Sequence, residues 1–210
     1  PHHVRDGEID DGQPQHHESE QTTHYSVIDR DGNAVAVTYT LNFPYGSAIV
    51  AAGTGILLNN EMDDFAAKPG TPNAYGLIGG DANAVAPGKR PLSSMSPTIV
   101  LKDGQPVLVT GSPGGSRIIT TVLQIISNVI DHNMNIAQAT LAPRFHHQWL
   151  PDELRIKEGF SPDTVRLLRA FGHTIAVKDA LGDTQSIARE PGGLYGFSDL
   201  RRPGGSAEGY

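Results

Sequence analysis

Hydrophobic and polar residues alternate with a period of two in four stretches of the chain, and this pattern predicts β-strands. Two stretches flank the turn Asp31–Gly32–Asn33 and two flank Asp103–Gly104, so each pair predicts a β-hairpin. The strand residues are Tyr25, Val27, Ala34, Val35, Val37 and Tyr39 in the first hairpin, and Thr98 to Leu101 and Val107 to Val109 in the second.

A helical period follows the second hairpin, after the glycine pair Gly114–Gly115. Its apolar residues occupy one broad face, which predicts a helix that packs flat on a sheet. They are Ile118, Ile119, Val122, Leu123, Ile126, Val129 and Ile130. A short helix is predicted over Ile136 to Leu141. Another begins at Ser161–Pro162–Asp163, which supplies a cap, a proline and an acid in the first turn, and ends at Gly172.

Three more strands are predicted at His173 to Val177, Gln185 to Ala188 and Leu194 to Phe197, the last two joined by a turn at Pro191–Gly192–Gly193. Together these elements indicate an α+β protein with one antiparallel sheet and one helical layer. Because a sheet has two faces, we expect a partner chain or segment to bury the second one.

Composition limits the possible functions. The 210 residues are 38% hydrophobic with a formal net charge of -7, which suits a globular chain and gives no basic surface for nucleic acid. The absence of cysteine excludes thiol nucleophiles, disulfides and thiolate zinc sites. No apolar run approaches the roughly 18 residues of a membrane span, and no signal peptide opens the chain. We expect the start at Pro1 to be the middle of a longer gene product.

Residues 1–21 are polar and largely acidic, with only Val4 and Ile9 as aliphatic side chains, so they offer too little apolar surface for a core. We interpret them as a linker, or as the tail of a preceding subunit, ahead of a folded domain over residues 22–210. The paired histidines of this segment lack a hydrophobic frame, so we expect no metal site there.

Thr22 stands where the polar segment ends and the folded pattern begins. A threonine there can become a chain terminus, and its free α-amine can then deprotonate its own hydroxyl, which makes it a nucleophile. The hairpin brings Thr40 and Asn42 back toward Thr22, where the Thr40 hydroxyl can orient it. The alternative is that these threonines are only good strand formers.

The turn from Gly111 to Ser116 leaves main-chain N–H groups unpaired at the start of a helix, where they can bind an oxyanion or a phosphate. A Walker-type phosphate loop needs a lysine followed by serine or threonine, whereas Ser116–Arg117 follows here. The pattern favours an oxyanion hole over a phosphate site, and a tight strand-to-helix turn explains it equally well.

Two further clusters are polar. Glu61, Asp63 and Asp64 lie within four residues, and such a group can hold an ammonium or a hard cation, although an acidic run is more often a solvated turn. Ser93 and Ser94 can hydrogen-bond a carboxylate, or they are ordinary loop residues beside prolines.

In this order the motifs resemble one family, the γ-glutamyltransferases or γ-glutamyl transpeptidases, which are N-terminal nucleophile hydrolases. The matching segments are Gln21–Ser26, Val37–Asn42, Gly55–Asn60, Met62–Phe65, Pro91–Pro97, Gly111–Ser116, Arg144–Trp149 and Gly209–Tyr210. The resemblance covers residues 22–210 and identifies them as the small-subunit catalytic domain of such an enzyme.

The resemblance implies an αββα sandwich to which this chain contributes antiparallel strands and helices. It implies that the precursor cuts itself between Gln21 and Thr22, and that Thr22 then attacks glutathione or another γ-glutamyl compound. A γ-glutamyl ester forms on Thr22, beside Thr40, with the amides of Gly114 and Gly115 holding the oxyanion. Water, an amino acid or a peptide acceptor resolves the ester, and neither a cofactor nor a metal is required.

The same resemblance implies the substrate-binding residues, which are Asn42, Glu61 and Asp64 for the α-ammonium and Ser93 and Ser94 for the α-carboxylate. Relatives carry Gln or Glu at position 61, and the carboxylate here should strengthen ammonium recognition. The loop Pro69 to Gly80, with Tyr75 near its middle, resembles the lid found in some members. A large subunit from the same precursor would supply an arginine to the site, and the enzyme would lie in the periplasm or outside the cell.

Alternatives stay open at several points. Residues 21 and 22 belong either to an uncut precursor or to two subunits written as one sequence. Rival functions are an acylase for glutaryl cephalosporins, whose substrate lacks the ammonium, and a non-catalytic precursor or binding partner. We expect His146 and His147 to pack and hydrogen-bond under the site without catalysing, and His24 to point away from the substrate.

Overall fold

The computed structural model describes residues 22–73, 76–178 and 181–209. The strands are β1 (Thr23–Ile28), β2 (Ala34–Tyr39), β3 (Thr98–Lys102), β4 (Gln105–Thr110), β5 (Phe145–His146), β6 (Leu154–Ile156), β7 (Ile175–Val177), β8 (Gln185–Glu190) and β9 (Gly193–Ser198). The helices are α1 (Arg117–Ile130), α2 (Ile136–Leu141) and α3 (Pro162–Ala170). Two 3-10 turns, Glu61–Asp64 and Asp81–Asn83, lie in the long connection between β2 and β3. The predicted N-terminal linker and the predicted role of Tyr75 lie outside the described residues.

Both predicted hairpins are confirmed. Strands β1 and β2 pair antiparallel from Thr23 opposite Tyr39 to Ile28 opposite Ala34. Strands β3 and β4 pair antiparallel around Asp103 and Gly104, which both adopt positive φ as a tight hairpin turn requires. The sequence signal was strong because the turn residues and the alternating side chains agreed.

The strands form three sheets, so the expectation of one antiparallel sheet is wrong. The largest sheet has the order β3-β4-β8-β9, β1 pairs only with β2, and β5, β6 and β7 form a third sheet. Strand β7, predicted over His173 to Val177, spans only Ile175–Val177 and pairs in parallel with β6. Strands β5 and β6 have two and three residues, too few for a recognisable alternation, which is why the sequence missed the third sheet.

The core lies where α1 meets the four-stranded sheet. Leu108 of β4, Ala188 of β8, Ile125 of α1 and Ile136 of α2 form one buried cluster. The predicted helices are confirmed, but α1 buries only part of its apolar face, since Ile119, Leu123 and Ile130 stay 54%, 61% and 49% exposed. None of the helices among the described residues is long and apolar enough to cross a membrane.

The hairpin of β1 and β2 packs against the four-stranded sheet, and the Ser26 hydroxyl donates a hydrogen bond of 2.8 Å to the carbonyl of Gln185 in β8. His24 is buried on this inner face. The outer face of the hairpin carries side chains that are about half exposed, Tyr25, Val27, Val35 and Tyr39. Because a contiguous apolar patch usually marks a contact surface, this face fits the expected need for a cover.

A buried ion pair fixes the segment after α2 to the last part of the chain. The guanidinium of Arg144 lies 2.8 Å from the carboxylate of Asp199, with both side chains almost fully buried. Arg144 also donates to the carbonyls of Leu181 and Thr140. Burial lowers the pKa of Arg144 to about 10, chiefly because the charge is desolvated. Arg144 stays charged at neutral pH, and its bonds hold together the segments that contain Thr140, Leu181 and Asp199.

Candidate active site

A cavity of about 550 Å³ brings together most of the residues that the sequence singled out. Its wall includes Thr22, Thr40, Asn42, Glu61, Asp64, Ser93, Ser94 and Gly115. Gly114 is buried directly before Gly115 and is not part of the wall. A second cavity of about 430 Å³, lined by β1, β8 and residues 202–208, contains none of the predicted site residues.

The hairpin register brings Thr22 and Thr40 together. Thr22 immediately precedes β1 and Thr40 immediately follows β2, so the pairing of Thr23 with Tyr39 sets them side by side. The Thr22 hydroxyl donates to the Thr40 hydroxyl at 3.1 Å, and Thr40 also accepts from the backbone N–H of Asn42 at 2.9 Å. Thr22 is only 5% exposed, so its hydroxyl is held in one orientation at the cavity wall.

Asn42 links the end of the hairpin to the acidic turn. Its backbone has a φ of 74°, a conformation that asparagine tolerates better than most residues. Its side-chain amide donates to the carbonyl of Asn60 at 3.2 Å, and the side chain of Asn60 accepts from the backbone N–H of Phe43 at 3.0 Å. The reciprocal bonds between Asn42, Phe43 and Asn60 fix the turn that begins at Glu61.

The acidic residues form one 3-10 turn, Glu61–Asp64, on the cavity wall. The pKa of Glu61 is raised to about 7, mostly by burial and in smaller part by a hydrogen bond with Asp64 and by repulsion from its charge. The pKa of Asp64 is also raised, mainly by burial and by the charge of Asp63. The two carboxyls therefore share a proton near neutral pH, and a bound cation would displace it.

The turn between β4 and α1 contains two glycine amides that have no hydrogen-bond partner among the described residues. Gly114 and Gly115 have φ values of 136° and 56°, which only glycine adopts without strain. Their carbonyls accept from the N–H groups of Arg117 at 3.2 Å and Ile118 at 3.1 Å. Neither glycine N–H donates a hydrogen bond to any atom in the described part of the chain. Gly115 borders the cavity, so its amide can reach an oxygen atom of a ligand there, and Gly114 is the residue directly behind it.

The serine loop and the candidate lid complete the wall. Ser93 is exposed and its hydroxyl accepts from the N–H of Met95 at 3.2 Å, while Ser94 is partly buried. The described residues of the lid fold back on themselves, with the N–H of Asn73 donating to the carbonyl of Leu77 at 2.9 Å. The lid residues that border the cavity are Thr71, Pro72, Asn73, Leu77, Ile78 and Gly79.

Several residues near the site were missed by the sequence reasoning. The guanidinium of Arg202 donates to the carbonyl of Thr22 at 3.3 Å, a contact across 180 positions that no local pattern signals. Lys68 and Thr120 also border the cavity without a signal in the sequence, whereas the other bordering residues belong to segments that the sequence had named, which are Asp63, Ser116, His146, His147 and Gln148. Of the run Phe145 to Trp149, which we expected to pack and hydrogen-bond under the site, His146 is buried as expected, but Phe145 and Trp149 are 47% and 73% exposed.

His24 does not border this cavity. It is 5% exposed on the inner face of the hairpin, opposite the exposed Thr23, and its ring bonds to the hydroxyls of Thr38 and Ser26. Burial lowers the pKa of His24 to about 4, so the imidazole is neutral at physiological pH. We assign it a packing role beneath the hairpin.

Comparisons with known proteins agree with this arrangement. Residues 2–209 match the sequence model of the Gamma-glutamyltranspeptidase family. The chain is 67% identical over 204 residues to the glutathione hydrolase proenzyme of Escherichia coli (strain K12), which covers 97% of this chain and 35% of that relative. The chain therefore spans much less than the whole of this longer relative.

Solved structures give the same result. The fold matches a mutant of Helicobacter pylori gamma-glutamyltranspeptidase with a TM-score of 0.81 and 62% identity, over 86% of this chain and 100% of that one. A cephalosporin acylase from Bacillus halodurans matches with a TM-score of 0.73 and 31% identity, over 88% of this chain and 34% of that one. The predicted α+β fold of the N-terminal nucleophile hydrolases is thus confirmed. The chain belongs to the gamma-glutamyltranspeptidase family.

Proposed function

We propose that this chain is the small-subunit, catalytic part of a γ-glutamyltransferase that cleaves the γ-glutamyl amide of glutathione and related compounds. One observation carries the proposal: the Thr22 hydroxyl, 3.1 Å from that of Thr40, shares a cavity with the unpartnered amide of Gly115 and the Glu61–Asp64 pair. A nucleophile, an oxyanion site and a cation site around one cavity are the groups that acyl transfer from an amino-acid substrate requires.

In the first step, the α-amine of Thr22 takes the proton of its own hydroxyl while the oxygen attacks the γ-carbonyl. The negative charge that develops on the carbonyl oxygen is stabilised by the N–H groups of Gly114 and Gly115. Once the Thr22 proton has moved to the amine, the Thr40 hydroxyl, which accepted from Thr22 before, turns to donate a hydrogen bond to the attacking oxygen and keeps its own proton. The leaving amine takes the proton from the ammonium of Thr22, and the γ-glutamyl ester remains on its oxygen.

The ester is resolved by water or by the amine of an amino acid or peptide acceptor. The nucleophile attacks the ester carbonyl while the α-amine of Thr22 takes its proton, and the resulting ammonium returns that proton to the Thr22 oxygen, which leaves as a hydroxyl. The same amides hold the second oxyanion. Hydrolysis and transfer therefore differ only in which nucleophile enters the cavity.

Recognition of the γ-glutamyl group rests on charge. Glu61 and Asp64 bind the α-ammonium with help from Asn42, and a cation there restores both carboxylates to their ionised form. Ser93 and Ser94 bind the α-carboxylate with hydroxyl hydrogen bonds. Tyr75 belongs to the lid that closes over the bound group.

The mature nucleophile requires a free amine, so the bond between Gln21 and Thr22 must be cut. In our proposal the Thr22 hydroxyl attacks the preceding carbonyl, and hydrolysis of the resulting ester releases the N-terminus. The proenzyme name of the Escherichia coli relative supports this step. Residues 1–21 are then the end of the large subunit and residues 22–210 the small subunit.

The partner is a large subunit made from the same precursor. The alignment covers 35% of the length of the Escherichia coli relative, and the outer face of the hairpin exposes large apolar side chains. The large subunit would bury that face and add an arginine beside Ser93 and Ser94. An exported enzyme, in the periplasm or outside the cell, is part of the proposal because of the family.

A glutaryl-cephalosporin acylase is the second candidate within the fold, supported by the match to the Bacillus halodurans acylase. Its substrate carries no ammonium, so two carboxyls in the cavity would repel its carboxylate. An ammonium beside Glu61 would offset the burial and the repulsion that raise its pKa, whereas a carboxylate there would add to the repulsion. The γ-glutamyl substrate is therefore favoured.

The test compares two neighbouring threonines in the full-length, assembled protein. Thr22→Ala should leave the precursor uncut and lower turnover of γ-glutamyl-p-nitroanilide by at least about a thousandfold, because the nucleophile is gone. Thr23→Ala is the matched control, since Thr23 is exposed and outside the cavity, and it should be cut and active. Intact-mass spectrometry reports the cut, and absorbance reports the turnover.

Three results would reject the proposal in distinct ways. A cut and active Thr22→Ala variant would reject the nucleophile. Faster turnover of a glutaryl amide than of the γ-glutamyl amide would support the acylase. A correctly assembled wild-type protein that turns over neither substrate would indicate a non-catalytic subunit.

A further inference from the structure

The Ser116 side chain leaves its helix uncapped and reaches across the cavity wall. Ser116 is the N-cap of α1, a position where a serine hydroxyl usually accepts from the first turn, but no such bond forms. Its hydroxyl donates to the side-chain oxygen of Gln148 at 2.8 Å instead. The Ser116 hydroxyl therefore bonds to a residue 32 positions away and not to the first turn of its own helix.

Gln148 is locked in the orientation that this bond requires. Its side-chain N–H donates to the carbonyl of Leu150 at 3.1 Å, so its oxygen must face Ser116. The ring of His146 lies 3.0 Å from the same oxygen through Nε2. Because an amide oxygen only accepts, the His146 proton sits on Nε2. Both lone pairs of the Gln148 oxygen are thereby used.

The other side of the His146 ring returns to α1. Its Nδ1 lies 2.8 Å from the hydroxyl of Thr120, one turn along the helix from Ser116. Burial lowers the pKa of His146, which keeps the ring neutral and leaves Nδ1 free to accept. Three side-chain hydrogen bonds thus run from Ser116 through Gln148 and His146 to Thr120, and the backbone of α1 between Ser116 and Thr120 closes the loop, which we call the Ser116–Thr120 ring.

The glycine turn needs such anchors because its own backbone is permissive. Gly114 adopts a φ of 136° that other residues avoid, Gly115 lies in the left-handed region that favours glycine, and neither has a side chain that could fix the direction of its N–H group. Before the turn, the Ser112 hydroxyl accepts from the N–H of Asp183 at 2.8 Å. After the turn, the Ser116–Thr120 ring is the counterpart, attached at the residue that follows Gly115.

We propose that Ser116, Gln148 and His146 are positioning residues that aim the Gly114 and Gly115 amides at the oxyanion of the reaction. This inference rests on the proposed function, since it presupposes an acyl transfer at Thr22. The ring does not touch the reacting atoms. It fixes the backbone from the C-terminal side of the turn, while Ser112 fixes it from the other side.

The test uses Ser116→Ala and Gln148→Met, which remove the hydroxyl and the amide with little change in volume. Loss of a whole oxyanion donor costs about a hundredfold to a thousandfold in kcat, so a misaimed donor should cost roughly tenfold. KM for γ-glutamyl-p-nitroanilide should change less than twofold, because the γ-glutamyl contacts lie elsewhere. The double variant should lose about as much as either single one, since both break the same ring.

A second readout separates positioning from general damage to the fold. A γ-glutamyl boronic acid analogue becomes tetrahedral on Thr22 and presents an oxygen to the amides, whereas glutamate does not. Both variants should bind the boronate roughly tenfold more weakly and glutamate equally well. Gln138→Met is the matched control, because it removes the capping box of α2 and so lowers Tm without changing the ratio of the two inhibition constants.

Each outcome decides the inference. Wild-type kcat and boronate binding in both single variants would overturn it. A rise in KM for the acceptor, with hydrolysis unchanged, would also overturn it, because Gln148 would then contact the acceptor directly. A wild-type protein without Thr22-dependent turnover would reject the proposed function instead. This result is measured on the wild type, so it cannot be confused with an effect of the variants.

Discussion

Glutamate should bind the assembled enzyme more tightly as the pH rises from 6 to 8, because Glu61 loses its shared proton in that interval. The pKa of Glu61 is raised to about 7 by burial and by Asp64. A protonated pair offers the ligand's ammonium one negative charge, and an ionised pair offers two. The affinity for glutamate should rise with pH because the pKa of Glu61 is raised. At low pH the proton stays on Glu61 and weakens its attraction for the ammonium of glutamate.

The size of the effect follows from the fraction of Glu61 that is ionised. With a pKa of about 7, this fraction is about a tenth at pH 6 and about nine tenths at pH 8. If only the ionised pair holds the ammonium, the inhibition constant of glutamate should fall by up to roughly tenfold across this range. Partial exposure of the pair to solvent reduces the change, so a fall of at least about threefold is the minimum expected.

The assay measures inhibition constants of glutamate and glutarate against a γ-glutamyl anilide at several pH values. Glutamate keeps its ammonium and both carboxylates charged over this range, so its own ionisation contributes little. Glutarate lacks the ammonium, and its inhibition constant should stay level or rise as the pair becomes more negative. Inhibition constants are preferred to rates because the α-amine of Thr22 titrates in the same range.

Glu61→Gln is the decisive variant. A neutral amide at position 61 has no proton to lose, so the inhibition constant of glutamate should become nearly independent of pH between 6 and 8. The reasoning is refuted if wild type and Glu61→Gln show the same pH dependence, or if glutarate follows glutamate. Either result would mean that the ammonium does not lie against this pair.

Three further predictions concern stability. Arg144→Met should destabilise the assembled protein by about 1–3 kcal/mol in chemical denaturation, because it removes one of the two guanidinium groups that contact the buried carboxylate of Asp199 and leaves Arg201 as the other; an unchanged midpoint would contradict this. Gly111→Ala should cost about 1–3 kcal/mol, since the new methyl would overlap the ring of His24. Adding His24→Ala should recover part of that loss in the same assay. Ser161→Ala should lower the unfolding free energy by about 1 kcal/mol through loss of the α3 cap, with turnover unchanged as the check on its distance from the site.

The sequence alone predicted the elements correctly where turn or cap residues agreed with the spacing of the hydrophobic residues. The hairpin through Asp31–Gly32–Asn33 set the register that brings Thr22 to Thr40, so this part of the site followed from turn chemistry alone. The capped start of α3 at Ser161 was equally clear. In these places one short segment contains all the information.

The sequence failed where the arrangement depends on distant or very short segments. Strands β6 and β7 pair in parallel over three residues each, whereas we expected the strand after α3 to belong to the one antiparallel sheet. The bond from Arg202 to Thr22 joins the two ends of the described chain. The raised pKa of Glu61 depends on burial by the surrounding loops, which the acidic run by itself does not reveal.

The hairpin that carries Thr22 on its edge also exposes Tyr25 and Val27 on its outer face. Any subunit seated on those rings and methyl groups would press on the same two strands that align the nucleophile, with no intervening element. Binding of that subunit and alignment of Thr22 would then be coupled. A small displacement of the subunit would also displace the hydroxyl oxygen of Thr22. A ligand bound between that subunit and the outer face of the hairpin would then inhibit the enzyme from outside the active-site cavity.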